Sequence, residues 1–425
     1  MSKEQKNMSN NKKYLDYKFT CKDRFLEYVR IDTQSDEDSK SIPSTEKQKD
    51  LLKMLLSELK SMKIDATMDG YGYIYARIRS NTDKKVPAIG FISHVDTSPA
   101  APGKNVRPMI HEGYRGGKIT LPKENQSLDI KDSPELSRVI GHDIITSDGS
   151  TLLGADDKAG VAEIMDAANY LMKHPEIRHG DIMIAFTMDE EIGRGVDKFD
   201  IKKFGAKYAY TVDGDDVGSI ESETFNADGM TITFIGKSIH TGYAKGVMIN
   251  SVRIAAEFIE ALPKKSMTPE TTSGKQGFVH ASEVKGSEGS TSVKMYLRDF
   301  TEKRLVEYET MLKKLAMKIS GKYPGSRVDF KITKQYRNMK KIVDKSPQIM
   351  DNAIEAMKNL GINPNVKIVR GGTDGCNLSY KGLPTPNIFC GEHNFHSKTE
   401  WVSVQEMEFA VKTILEIIKV WEEKS

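Results

Sequence analysis

Two kinds of periodicity alternate along the first half of this chain. Over 14–30 and 46–62, apolar residues recur at helical spacing; Leu51, Leu52, Met54, Leu55, Leu59 and Met62 share one face. Short apolar runs bounded by turn residues follow at 73–78, 88–92, 181–188 and 208–212. Such runs are the mark of buried strands. A helix is predicted over 159–172, between two of them. Helices alternating with buried strands predict an α/β architecture, a sheet covered by helices.

The pattern changes after Gly218. Segments 230–235, 278–284, 292–298 and 327–333 alternate apolar and polar positions, and helical patterns over 250–262 and 302–319 interleave with them. Two strand–helix–strand units of this kind predict a smaller α+β two-layer domain. The α/β style returns with a helix over 346–360, a strand over 366–369 and an amphipathic helix over 403–422. The expected organisation is a discontinuous larger domain, 1–220 and 325–425, with a lid-like insert at 221–324. A chain of 425 residues exceeds what one core usually organises, which fits two domains.

Composition narrows the function. Lys and Arg number 63 against 60 Asp and Glu, a formal charge of +3. So even a balance supplies no concentrated basic patch for nucleic acid or a membrane surface. No run approaches the roughly 18 apolar residues of a membrane helix. Residues 1–13 are polar and lysine-rich with no apolar stretch behind them, so a frayed tail is expected rather than a secretory signal. Cys21, Cys376 and Cys390 are odd in number and widely spaced. A disulfide scaffold is therefore not expected, and the expected setting is the reducing cytoplasm.

The candidate chemistry gathers where predicted strands end, the place where open α/β sheets bind ligands. The run over 88–92 leads into Ser93-His94-Val95-Asp96. Residues two apart on an extended chain point the same way, so Asp96 can orient His94 as a metal ligand. Alone, this spacing is more often structural. Gly154-Ala155-Asp156-Asp157 leads into the predicted helix, where Asp157 reads equally well as a helix cap and Asp156 as a ligand. Asp189-Glu190-Glu191 closes the strand over 181–188, and adjacent carboxylates can divide the labour, Glu191 binding metal and Glu190 moving protons. Asp213 follows another apolar strand, and His396 follows the strand over 387–390. One by one these would be turn aspartates and surface histidines. Together they form a set of imidazoles and carboxylates suited to zinc, with cobalt or manganese as substitutes. Five ligands are too many for one catalytic zinc with an open position, and right for two sharing a carboxylate.

The segments SHVDTSP, LLGADDKAGVAEI, TMDEEIGRG, AYTVDGD, IHTGYAKG, LRDF and RGGTDGCNLSYKGLPTPNIFCGEHNFH resemble the di-zinc metallopeptidases. That family includes aminoacylases, carnosinase-like dipeptidases and glutamate carboxypeptidases, and the match is best to its tripeptide aminopeptidases. The resemblance runs from about residue 14 to the C-terminus. It implies two zinc ions per chain: His94 and Asp213 on one, Glu191 and His396 on the other, Asp156 bridging. It implies Asp96 as the support of His94 and Glu190 as general base. His240 would reach the oxyanion or substrate, and Arg298 and Arg370 would hold the peptide carboxylate, a task suited to the guanidinium fork. The implied fold is a zinc-binding α/β domain with an inserted two-layer lid. The implied partner is a short peptide, and a homodimer stays open because related lids pair in some members. Two positions depart from the family pattern: Asp215-Asp216 where glycine usually follows Gly214, and Thr241 where proline is expected. Rival readings are a dipeptidase, carboxypeptidase or N-acyl amino acid deacylase on the same fold, a non-catalytic peptide- or metal-binding protein, and a thiol hydrolase using Cys376 or Cys390.

Overall fold

The apolar runs at 88–92 and 181–188 become the strands Ile89–His94 and Ile182–Thr187, every residue of which is buried. Burial on both faces is what parallel strands under helices require. The computed structural model describes residues 17–425, so the tail expected over 1–13 lies outside the described residues. These residues form two compact units, 17–222 with 341–367 and 373–425, and 223–340 with 368–372. The mixed α/β class is as expected.

The first unit is built on an eight-stranded sheet. Its order is Asp65–Met68, Ile74–Ile78, Ile182–Thr187, Ile89–His94, Tyr208–Gly214, Asn387–Phe389, Ser219–Thr224 and Asn365–Val369. The four neighbours from Ile182–Thr187 to Asn387–Phe389 run parallel, so their carboxyl ends open on one edge. A smaller sheet joins Glu392–His393, Trp401–Ser403, Ile144–Thr146 and Met109–His111.

The helix Ala155–Lys173 is buried from Ala155 to Leu171, because the sheet packs on one side and the helices Cys21–Tyr28 and Val404–Glu423 pack on the other. Burial makes its polar residues work. Asp166 accepts hydrogen bonds from Tyr17 Oη, Thr20 N and Cys21 N, at 2.6, 2.7 and 3.0 Å. It thereby caps the start of Cys21–Tyr28, whose own N-cap side chain makes no capping bond. Gly160 marks the closest approach of helix to sheet. A Cβ there would lie 1.9 Å from the Val212 carbonyl oxygen and 2.7 Å from Ser93 Oγ. Gly160→Ala is expected to destabilise the metal-free protein by about 3 kcal/mol or more, since neither backbone can yield. A lower melting temperature, or loss of soluble protein, checks this.

The second unit is a four-stranded antiparallel sheet, in the order Phe278–Ser287, Ser290–Asp299, Asn226–Ile235 and Arg327–Tyr336. Met230, Ile232 and Phe234 alternate with half-buried neighbours and face a core completed by Ile254 and Phe258 of the helix Ser251–Glu260. Leu305, Leu312 and Ile319 join that core at heptad spacing from Glu302–Ser320. The boundary expected at 324 lies at Lys340. The reason is register: Arg327–Tyr336 pairs along nearly the whole of Asn226–Ile235 and belongs to this sheet. Among the described residues, no helix is long and apolar enough to cross a membrane.

Candidate active site

Sheet register brings the first two residues together. Ile92 pairs with Thr211, and two residues beyond that pair stand His94 and Asp213 on adjacent parallel strands. His94 Nε2 lies 3.4 Å from Asp213 Oδ1 and 2.9 Å from Asp156 Oδ1. Asp156 arrives differently from the expected end of a main-sheet strand. The preceding strand, Ile144–Thr146, belongs to the small sheet, and Asp156 sits in the non-helical first turn of Ala155–Lys173. Asp157 is not the helix cap. Gly154 takes the N-cap position in the left-handed region, at φ 84, and Asp157 Oδ2 accepts the His94 main-chain N–H at 3.1 Å.

The second half of the cluster comes from two loops. After Ile182–Thr187, Asp189 takes φ 61 and turns its carboxylate to Ser44 N and Gln48 Nε2, each at 2.7 Å. That anchor starts the short turn Glu190–Ile192. His396 stands on the connection between the antiparallel strands Glu392–His393 and Trp401–Ser403, with Asn394 and His396 themselves at positive φ. Positive φ at non-glycine residues is costly and clusters at functional sites. His396 Nε2 lies 3.0 Å from Asp156 Oδ2 and 2.6 Å from Glu191 Oε2.

Two donor groups result, His94–Asp156–Asp213 and Asp156–Glu191–His396, with the ligand atoms of each within 4.8 Å of one another. Each presents one imidazole nitrogen to two carboxylate oxygens, and a single N–H cannot serve both well. Glu191 Oε1 is buried with no hydrogen-bond partner. Buried carboxylates left in this state call for a cation. The donor set therefore fits two divalent ions sharing Asp156. Burial alone would lower the His396 pKa, but hydrogen bonds to Asp156 and Glu191 push it up to about 11. Burial, reinforced by Asp156, pushes Glu191 up to about 8.

Around the donors stand the residues that orient them. Asp96 Oδ1 lies 3.3 Å from His94 Nδ1 and accepts the Glu190 N–H at 3.0 Å, while its Oδ2 accepts the Glu191 N–H at 3.3 Å. One carboxylate thus fixes an imidazole and the turn carrying both glutamates. Glu190 is half-buried, and burial pushes its carboxyl well above the usual range.

Sequence reasoning missed Glu400, whose buried carboxylate accepts the N–H groups of Leu153, Gly154 and Asp156 at 2.7, 2.9 and 3.1 Å. It holds the turn before Asp156 from the far end of the chain, and no local pattern could reveal that. Asp374, buried and bonded to Thr187 Oγ1 at 2.8 Å, was passed over inside the RGGTDG segment. The Asp215-Asp216 departure carries its own compensation: Lys367 Nζ lies 2.9 Å from Asp215 and 2.6 Å from Asp216, and Arg138 also pairs with Asp216. Cys390 is buried, and burial with the acids Glu392, Glu163, Asp157 and Asp213 raises its thiol well above the usual value. That is the reverse of the niche a thiolate nucleophile needs.

The three other predicted residues belong to the second unit. His240 is exposed and accepts the Gly242 N–H at 3.1 Å through Nδ1. Thr241 opens the short turn Thr241–Tyr243, a first-turn position where proline and threonine are both accommodated. Arg298 lies against the rings of Tyr296 and Tyr336, at 5.2 and 5.5 Å, and donates to the Leu297 carbonyl at 3.0 Å. Arg370 donates to the carbonyls of Gly274 and Gln276 and to Thr272 Oγ1, at 2.7, 2.7 and 2.8 Å. In this structure Arg370 clamps the 272–276 loop.

An α/β unit with paired acid–imidazole groups at the carboxyl edge of its sheet is the frame of a metal-dependent hydrolase. The chain belongs to peptidase family M20/M25/M40, whose family model matches residues 149–420. Peptidase T of Geobacillus thermodenitrificans is 50% identical over 405 residues, 95% of this chain and 98% of that protein. A tripeptidase of Staphylococcus aureus superposes with a TM-score of 0.75 at 21% identity, covering 95% of this chain and 98% of that one. A dinuclear metal binding peptidase of the M20 family from Bacillus subtilis superposes at 0.65 and 15% identity, covering 95% and 98%. The chain is thus a peptidase-family enzyme with peptidase T relatives along almost its whole length.

Proposed function

We propose that this enzyme removes the N-terminal residue from tripeptides, using two zinc ions held by His94, Asp156, Asp213, Glu191 and His396. The observation that carries the reading is the pair of donor groups sharing Asp156. Ions bound there supply Lewis acidity towards the scissile carbonyl and the attacking water. Asp96 keeps His94 in one orientation through Nδ1, which leaves Nε2 as the ligand nitrogen. Glu190, outside both donor groups, takes the proton of the attacking water and passes it to the leaving amine. His240 would serve the oxyanion or substrate, and Arg298 and Arg370 the peptide carboxylate. The three cysteines are free and buried, which suits a reducing compartment such as the cytoplasm.

The test is an assay of di-, tri- and tetrapeptides with free or acylated amino ends, on zinc-loaded and chelator-stripped enzyme. The expected result is turnover greatest for tripeptides with a free amino end, lost on stripping and restored by zinc or cobalt. A preference for acylated substrates would mark a deacylase, and release of the C-terminal residue a carboxypeptidase.

A further inference from the structure

Asp213 occupies an irregularity in the main sheet. Tyr208–Gly214 and Asn387–Phe389 run parallel, with Asn387 opposite Thr211 and Ile388 opposite Val212, but the next pair joins Phe389 to Gly214. Asp213 is the extra residue of a bulge, without a main-chain partner opposite it. Its N–H and C=O would be costly to leave unpaired in a buried sheet.

The Asn387 side chain supplies both missing partners. Its Oδ1 accepts the Asp213 N–H at 3.1 Å, and its Nδ2 donates to the Asp213 carbonyl at 2.8 Å. The other Nδ2 hydrogen goes to Glu221 Oε2 at 2.8 Å. Glu221 stands directly opposite Asn387 on the next, antiparallel strand, and both side chains are buried. Only one amide orientation satisfies these contacts. Turned over, the amide oxygen would face the Glu221 carboxylate and the Asp213 carbonyl, and its NH2 would face the Asp213 N–H.

A bulge re-aims the side chain it carries. Without the Asn387 side chain, the Asp213 N–H and C=O would lose both partners, and the main chain that carries the carboxylate would lose its brace. We propose that Asn387, oriented by Glu221, is a positioning residue: it holds the bulge that aims Asp213, and so sets the affinity of the His94–Asp156–Asp213 group for its ion. The inference rests on the two-ion reading above.

The test is metal binding by the full-length chain, stripped and then titrated with Zn2+ against a chromophoric chelator. Asn387→Asp keeps the side-chain shape but places oxygen where Nδ2 meets two oxygens. One of the two ions is expected to lose about 10–100-fold in affinity, the other none. Glu221→Gln, whose carbonyl still accepts from Nδ2, is expected to keep both affinities. Should Asn387→Asp not fold by circular dichroism, Glu221→Ala carries the same expectation, since the amide loses its orienting partner. Wild-type affinity for both ions in folded Asn387→Asp or Glu221→Ala, or equal losses at both, overturns the assignment. A wild-type chain that takes up fewer than two ions fails earlier, at the two-ion reading itself.

Discussion

Replacing Glu190 by Ala is expected to leave two ions bound per chain while kcat falls by about 10²–10⁴-fold, the usual contribution of a positioned general base. The two halves of this result come from different features. Glu190 belongs to neither donor group, so its loss removes no ligand. Its main chain, held by Asp96 Oδ1 at 3.0 Å, is untouched by the substitution, so the turn that presents Glu191 stays in place. What disappears, on the proposed reading, is the proton carrier. Burial already pushes the Glu190 carboxyl well above its usual value. Metal content by elemental analysis, measured beside tripeptide turnover, separates the two effects. Unchanged turnover would remove Glu190 from the mechanism, and loss of metal would move it into the ligand set.

Asp156→Ala is expected to cost more than any other single ligand change, exceeding the general-base loss of about 10²–10⁴-fold. Both donor groups contain this carboxylate, with Oδ1 turned to His94 and Oδ2 to His396. Removing it leaves two incomplete pairs, so both ions should be lost together. The adjacent Asp157 belongs to neither of these two groups, and its Oδ2 accepts the His94 main-chain N–H. His396→Ala provides the contrast. It strips one group only, and one ion per chain should remain. Retention of two ions by Asp156→Ala would show that the carboxylate is not shared.

Much of the main sheet was legible because its strands are long enough to show a pattern. The runs read at 181–188 and 208–212 are Ile182–Thr187 and Tyr208–Gly214 in the structure, and the helix read at 159–172 is the core of Ala155–Lys173. Short elements gave no such signal. Met109–His111, Ile144–Thr146 and Glu392–His393 have two or three residues each, too few for any periodicity to emerge. Their sheet is nevertheless what carries the connection bearing His396. Asp65–Met68 and Ser219–Thr224 escaped for a related reason: one is a partly exposed edge, the other a strand, SIESET, in which Ile220 alone is apolar.

The sequence by itself determined which chemistry is present. Residue types and their placement beside strands and turns depend only on local order, so His94, Asp96, Asp156, Glu190, Glu191, Asp213 and His396 could be picked out before any coordinates. The tertiary structure alone decided how they meet: that Asp156 faces both imidazoles while Asp157 turns to a main-chain N–H, and that Asp96 serves two elements at once. It also decided which unremarkable residues hold them, Glu400 reaching the Leu153–Asp156 turn and Asn387 bracing the bulge at Asp213. The physical reason is separation along the chain. Apart from the His94–Asp96 pair, these bonds join residues at least 62 positions apart, and hydrophobic periodicity says nothing about which distant polar group a folded backbone will meet.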